Sequence, residues 1–275
     1  ALKIRQELSD QAQIAASLNN IGLIYDEIGN YQKALDFYNQ SLEIKSNIAD
    51  NIELANTLHV TGNLYYKLKQ YNNALEKYTQ ALVLREQIGD KMSIASALRS
   101  LGNIYLELGD KSKCLIYLKE SLKIRDEMGD AKGVSEIHND LGNYYLSISD
   151  YDPALDHFLQ TIKLSTKTGD KYLSALASRK AGEILIKQGK HNEGTDMVNA
   201  SLSIGQEIGN LEMIKNAYFV FYEYYNKIGN KDKALTNYIN FSLIKDSISA
   251  QINDQRILET QMKFEIEKSQ TELSR

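Results

Sequence analysis

The chain reads as an all-α solenoid, a stack of antiparallel helix pairs, and three observations lead there. Forty-residue blocks repeat in register. Glycine recurs at Gly22, Gly62, Gly102, Gly142 and Gly182, tyrosine three places on at Tyr25, Tyr65, Tyr105 and Tyr145, and a small residue at Ala34, Ala74, Cys114, Ala154 and Gly194. A fixed period of this size means that each unit buries its apolar face only against its neighbours. Within a block, apolar residues recur at intervals of three and four, the spacing of a helix face. A single proline in 275 residues leaves the helices uninterrupted.

The elements follow in order. Residues 1–10, ALKIRQELSD, match the last ten of a later block, SLKIRDEMGD ending at Asp130, and are expected as the second helix of a truncated preceding repeat. With no initial methionine or signal peptide, and a helical pattern running on to Arg275, the chain is expected to be a piece of a longer protein. Six units follow: 11–50, 51–90, 91–130, 131–170, 171–210 and 211–250. In the second, Leu54, Leu58, Gly62, Tyr65 and Leu68 make one helix face, and Ala74, Leu75, Tyr78, Leu82, Leu84 and Ile88 make another after a break near Gln70. Two helices of about 17 residues, each about 26 Å long, fit that pattern.

Gly29, Gly109, Gly189 and Gly229 mark the turn inside units, and Gly89, Gly129, Gly169 and Gly209 the turn between them. Glycine past a helix end takes the left-handed conformation without steric cost. Asp10, Asp50, Asp90, Asp130 and Asp170 stand where the next helix needs a cap, Asp50 with Glu53 reads as a capping box, and Pro153 as the first residue of its helix. Gly62 opposite Ala74 lets two helices cross closely, with Tyr65 and Tyr78 beside the crossing. Residues 251–275, free of glycine and proline, are expected as a C-terminal capping or connecting helix with Leu258, Met262, Ile266 and Leu273 along one side; a dimerising coil is the other reading.

Composition narrows the function. A net charge of −4 with acids and bases intermixed supplies no basic tract, so no nucleic acid partner is expected. The longest apolar run, Ala217 to Tyr222, is far below the ~18 residues of a membrane span, so no membrane insertion is expected within this segment. Cys114 is the lone cysteine and reads as a small buried stand-in for alanine. His59, His138, His157 and His191 are scattered, and GKHNEGTD from Gly189 lacks the ending of a phosphate loop. No catalytic residue, metal site or cofactor is expected, and nothing fixes the compartment: cytoplasm is favoured over a periplasmic input domain.

The order Leu58, Thr61, Gly62, Tyr65, Ala74, Tyr78, Ala81, repeated at Leu98, Leu101, Gly102, Tyr105, resembles the tetratricopeptide repeat. The resemblance covers the chain to about residue 250. It departs from the usual 34-residue period and lacks the proline ending the second helix, where Ser46, Glu86 and Asp126 stand. The forty-residue variety resembles that of kinesin light chain-like adaptors and of input regions of bacterial signalling proteins. It implies a right-handed α–α superhelix whose first helices line a concave groove. Gly194 and Thr195 replacing Ala-Leu, and Tyr222 replacing glycine, imply looser packing in the last unit.

Asparagine follows the glycine at Asn63, Asn103 and Asn143, and four residues earlier stand His59, Arg99 and Asn139, with Asn19 and Arg179 in flanking units. Spacing of four puts each pair one turn apart on one side of its helix. Given the resemblance, these columns form a ladder along the groove. Asparagine both donates to and accepts from a peptide backbone, and it is a mediocre helix former on a bare surface. Arg99, Arg179 and Lys180 point to a ligand with carboxylates, and Glu183 and Glu223 to a change of sign towards the C-terminus. The expected function is a non-catalytic module binding an extended, acidic peptide or a partner helix. The alternatives are an input domain of a bacterial histidine kinase or nucleotidyl cyclase acting through the C-terminal helix, and a scaffold or homodimer formed through that helix.

Overall fold

The structure, a computed structural model, describes residues 10–273. The helix expected over residues 1–9 and the side chains of Leu258, Met262, Ile266 and Leu273 lie outside the described residues. Among the described residues there are twelve helices and no strand: α1 (Gln11–Glu27), α2 (Tyr31–Asn47), α3 (Asn51–Lys67), α4 (Tyr71–Ile88), α5 (Lys91–Glu107), α6 (Lys111–Glu127), α7 (Ala131–Ser147), α8 (Tyr151–Thr168), α9 (Lys171–Lys187), α10 (His191–Glu207), α11 (Leu211–Lys227) and α12 (Lys231–Leu273). The chain divides into two compact units, Ala1–Tyr144 and Tyr145–Arg275. α12 passes residue 250 without a break, so the last helix of the sixth repeat and the tail are one helix of 43 residues.

The acidic column caps the first helices. Asp10, Asp50, Asp130 and Asp170 accept from the backbone N–H three residues on, at Gln13, Glu53, Gly133 and Leu173, and Asp90 accepts from both Met92 and Ser93. The capping box at Asp50 is made only by half, because the Glu53 carboxylate pairs with Lys45 instead. Pro153 is the third residue of α8, whose cap is Asp150; its missing N–H falls among those that have no helical partner anyway. All eight turn glycines have positive φ, but Ala49, Lys69 and Ser149 hold the same left-handed conformation with φ of 55°, 58° and 60°. There a Cβ crowds the carbonyl, at about 1–2 kcal/mol for an L-residue.

At Gly22 and Gly62 the group nearest the glycine is a tyrosine ring; at Gly102 it is Leu118, and at Gly182 the Gly194 carbonyl with Val198. A Cβ on Gly62 would lie 2.7 Å from Cδ1 and Cε1 of Tyr78, and one on Gly22 would lie 2.6 Å from the same atoms of Tyr38. In the first unit the core runs through Ala34, Tyr38 and Leu64, then through Ala74, Tyr78, Ala97, Leu98 and Leu101. In the second it runs through Ala154, Phe158, Ala177 and Ala181, then Val198, Ala217 and Phe221. The last pair is more open: Tyr238, in the column of Tyr38, is 47% exposed, against 0% for Tyr38.

Replacing Lys69 by glycine relieves the left-handed strain at the cost of unfolded-chain freedom. We expect K69G to stabilise the chain by about 0.5–1 kcal/mol in urea unfolding, and a destabilised variant would contradict this.

Candidate functional site

A column of buried cations runs through the first unit and reaches the site at Arg125. Lys45, Arg85 and Arg125 stand forty residues apart on α2, α4 and α6, and their exposures are 1%, 6% and 8%. A charge taken out of water has to find partners, and the neighbouring first helices and their caps supply them. Lys45 Nζ donates to Thr57 Oγ1 (2.7 Å) and Glu53 Oε2 (3.2 Å) on α3. Arg85 Nη1 donates to the Ser93 carbonyl (3.1 Å) on α5 and to His59 Nδ1 (3.1 Å). Arg125 pairs with Asp130 and donates through Nη2 to Ser96 Oγ (2.9 Å). Gly133 is the space this last pair needs, since a Cβ there would lie 1.9 Å from Arg125 Nη1. In the second unit the column becomes Ser165 and Gly205.

Against Arg125 lies a cleft of about 390 Å³ within the first unit. His59, Asn63 and Tyr66 of α3 line it with Ser96, Arg99, Ser100 and Asn103 of α5, Glu136 of α7, and Tyr78 and Arg125 behind. The sequence pattern thus placed four of its eight candidates, His59, Asn63, Arg99 and Asn103, on one cavity.

Their bonding differs from the expected uniform ladder. Arg99 is not an uncompensated positive charge. Its Nε donates to Asp140 Oδ2 (2.5 Å) and its Nη1 to Glu136 Oε2 (2.7 Å), both on α7. Burial works against the Arg99 charge, but Asp140 and then Glu136 outweigh it and hold the proton more tightly than usual. Asn103 Nδ2 donates to the same Asp140 oxygen (3.1 Å). Asn63 Oδ1 instead accepts from the Tyr78 hydroxyl (2.7 Å). Because arginine can only donate, Nδ1 of His59 is the acceptor and the ring is neutral with its proton on Nε2. Burial, then Arg85, pushes the His59 pKa down to about 4.

The asparagine column follows its tyrosine neighbour. Where Tyr78 stands behind Asn63, the two bond. Where Leu118 stands behind Asn103, the amide is released to α7. Where Leu23 takes the asparagine's place, the buried Tyr38 hydroxyl has no partner, and burial followed by Asp26 and Glu27 pushes its pKa up to about 12.

The other four candidates lie elsewhere. Asn19 Oδ1 accepts from Thr57 Oγ1 (3.2 Å), which extends the Lys45 network. Asn139 departs from the expectation: it is 5% exposed, its Oδ1 has no partner, and it is a packing residue of α7. Asn143 is half-buried on α7. Arg179, in the second unit, pairs with Glu183 one turn along its own helix. A separate depression of about 470 Å³ there is lined by Glu183 and Glu223, but Lys187 and Lys227 line it too, so the expected change of sign is balanced locally. Cys114 is fully buried and burial pushes its thiol up to about 12. His138 is half-buried, with its pKa lowered by burial. Sequence reasoning missed the cation column and the carboxylates Glu136 and Asp140. The signal was present in the repeat of Lys45, Arg85 and Arg125 at a fixed register of the second helices.

With this geometry in view, the comparisons with known proteins are consistent. The family model of the tetratricopeptide repeat matches residues 1–47 and 53–127. Its glycine, small-residue and acidic columns continue in register past residue 127. No curated protein matches its sequence. Among solved structures it is similar to aspartyl phosphate phosphatase F from Bacillus subtilis, with 13% identity, a TM-score of 0.73, and 89% of this chain and 74% of that one covered. It is similar to a Rap protein complexed with Competence and Sporulation Factor, with 16% identity, a TM-score of 0.64, and 88% and 76% covered. It is also similar to repeats assigned to a kinesin light chain of Podosopora anserina, with 13% identity, a TM-score of 0.58, and 73% and 98% covered. At these identities the likeness shows the fold, an all-α superhelix of helix pairs. Among the described residues no helix is long and apolar enough to cross a membrane.

Two outcomes test the bonding. Leu23→Asn restores the partner that Tyr78 has, and we expect it to stabilise the chain by about 1 kcal/mol in urea unfolding. A neutral or destabilising result would show that the Tyr38 hydroxyl is satisfied otherwise. The folded His59 pKa is depressed, so between about 6.5 and 4 the unfolded chain binds a proton that the folded chain refuses. Stability from this group is present above that window and is lost as pH falls through it. His59→Gln is expected to flatten the fall of Tm between pH 7 and 4.5; an identical slope in both proteins would contradict the assignment.

Proposed function

We propose that the chain is a non-catalytic protein-interaction module that holds an extended peptide bearing carboxylates along its first-helix face. The observation that carries this reading is the cleft that gathers His59, Asn63, Arg99 and Asn103. Their bonding leaves complementary capacity. The Asn63 carbonyl is taken by Tyr78, so its amide N–H₂ is left to donate, while Asn103 donates to Asp140 and keeps its carbonyl to accept. One donor and one acceptor from neighbouring repeats match the C=O and N–H of an extended backbone, which has no hydrogen bonds of its own. Arg99 and the neutral His59, with its Nε2–H, add donors for a side chain. The Rap conjugation gene regulator of the plasmid pLS20, of similar fold, was solved in complex with the Phr* peptide, which agrees with a peptide ligand.

A second reading, an input domain of a signalling protein acting through its C-terminal helix, is favoured by α12. This helix leaves the last repeat pair and continues unbroken to Leu273, so a change of packing in that pair is carried along one rod.

The test uses dodecapeptides selected from a random phage library on the wild-type chain, with affinity read by fluorescence anisotropy. Arg99→Ala with Asn103→Ala is expected to weaken them by about tenfold to a hundredfold, the range of a pair of interface hot spots. Unchanged affinity in a folded double variant would remove the cleft as the docking site.

A further inference from the structure

The ion cluster at the cleft holds one carboxylate more than its guanidinium needs. Asp140 is 6% exposed and anchored twice, by Arg99 Nε and by Asn103 Nδ2, and it alone neutralises Arg99. Glu136 is held once, by Arg99 Nη1 at 2.7 Å, and its side chain is 27% exposed on the wall of the cleft. Nothing buried depends on it. Of the two carboxylates on Arg99, Glu136 is the more open to water, its side chain 27% exposed against 7% for Asp140, so it is the one whose release recovers more solvation. Its carboxylate also shows by its own position that a carboxylate fits against Arg99 Nη1 from the cleft side.

We propose that Glu136 is a built-in stand-in for the ligand, occupying the place on Arg99 that a carboxylate of the bound peptide takes when Glu136 swings out to solvent. This rests on the peptide-binding reading above and adds to it the chemical group recognised and the residue that sets the threshold for it. Asp140 stays in place throughout, so Arg99 remains oriented by α7 while its outer face changes partner. The exchange conserves charge at the guanidinium: one carboxylate leaves and one arrives, and no buried ion is left alone. It also makes selection sharp, since a neutral peptide residue gives Arg99 no reason to release Glu136, whereas an aspartate, a glutamate or a terminal carboxylate does.

The experiment measures the same selected peptides, together with versions in which each Asp or Glu is changed in turn to Asn or Gln, on the wild-type chain and on Glu136→Gln and Glu136→Ala. Removing the competing charge is expected to tighten carboxylate-bearing peptides by about threefold to fivefold, the worth of one partly exposed pair. The gain should vanish for the single peptide position whose carboxylate has been neutralised. Peptides without any carboxylate, or equal affinity of the acidic peptides for wild type and both Glu136 variants, would overturn the proposal. If Arg99→Ala with Asn103→Ala still weakens binding in that case, the docking site stands and only the stand-in role of Glu136 falls. If neither set of substitutions matters, the docking site itself is wrong.

Discussion

A cation buried between successive repeats is the constraint on which the first unit depends. Ammonium and guanidinium groups lose several kcal/mol of solvation when they are withdrawn from water, and only close, correctly placed acceptors offset that loss. Lys45 and Arg85 leave the second helix of one pair and reach the first helix of the next, on Thr57 and Glu53 and on Ser93, while Arg125 bonds Ser96 of its own pair and Asp130 at the start of the next. A slip of the pairs against each other would strand the charge. The cations therefore fix the register of the repeats, where apolar contacts alone would tolerate sliding. Past Tyr144 the column is Ser165 and Gly205, and a Cβ on Gly205 would lie 3.1 Å from the Met213 Cβ. There the next helix comes in close and the contact is apolar.

The cleft follows from that arrangement. Arginine at two of these positions needs polar company, so Ser96 and His59 face it from the first helices, and the same helices present Asn63, Arg99 and Asn103 beside them. The single exchange of Tyr78 for Leu118 in the supporting column changes what the asparagine in front of it can do. Backed by tyrosine it is left as a donor; backed by leucine it is tied to Asp140 and left as an acceptor. Two repeats that share this glycine–asparagine pair thus carry opposite halves of a hydrogen-bonding pair.

Helix existence, turn positions and caps were legible in the sequence because they are local. Glycine with positive φ and aspartate accepting from the third N–H follow from the chemistry of each residue and a repeat of forty. Contacts across the packing were less legible. The pattern showed that Gly62 was needed for close approach but not that the group approaching was the Tyr78 ring, because a column shows size and not direction. It placed His59, Asn63, Arg99 and Asn103 on one face and took the positive charge of Arg99 as available to a ligand. The carboxylates that hold Arg99 lie 37 and 41 residues on, in α7, and no single block contains both partners. Asn139 shares its column with Arg99 yet is buried, which spacing alone could not reveal.

The chain is an all-α solenoid of helix pairs in which structural charges and the polar groups of the cleft are interleaved on adjacent turns. The most direct test is a ¹H–¹⁵N spectrum of the side-chain amides and arginine Nε–H groups during titration with a selected peptide. Shifts are expected at the Asn63 and Asn103 amides and at Arg99 Nε–H, while the buried Arg85 and Arg125 stay in place. Shifts at the Gln80 side-chain amide, which lines an apolar groove of about 570 Å³ with Leu42, Leu54 and Val83, with the asparagine and Arg99 signals unmoved, would place the ligand in that groove and contradict the assignment.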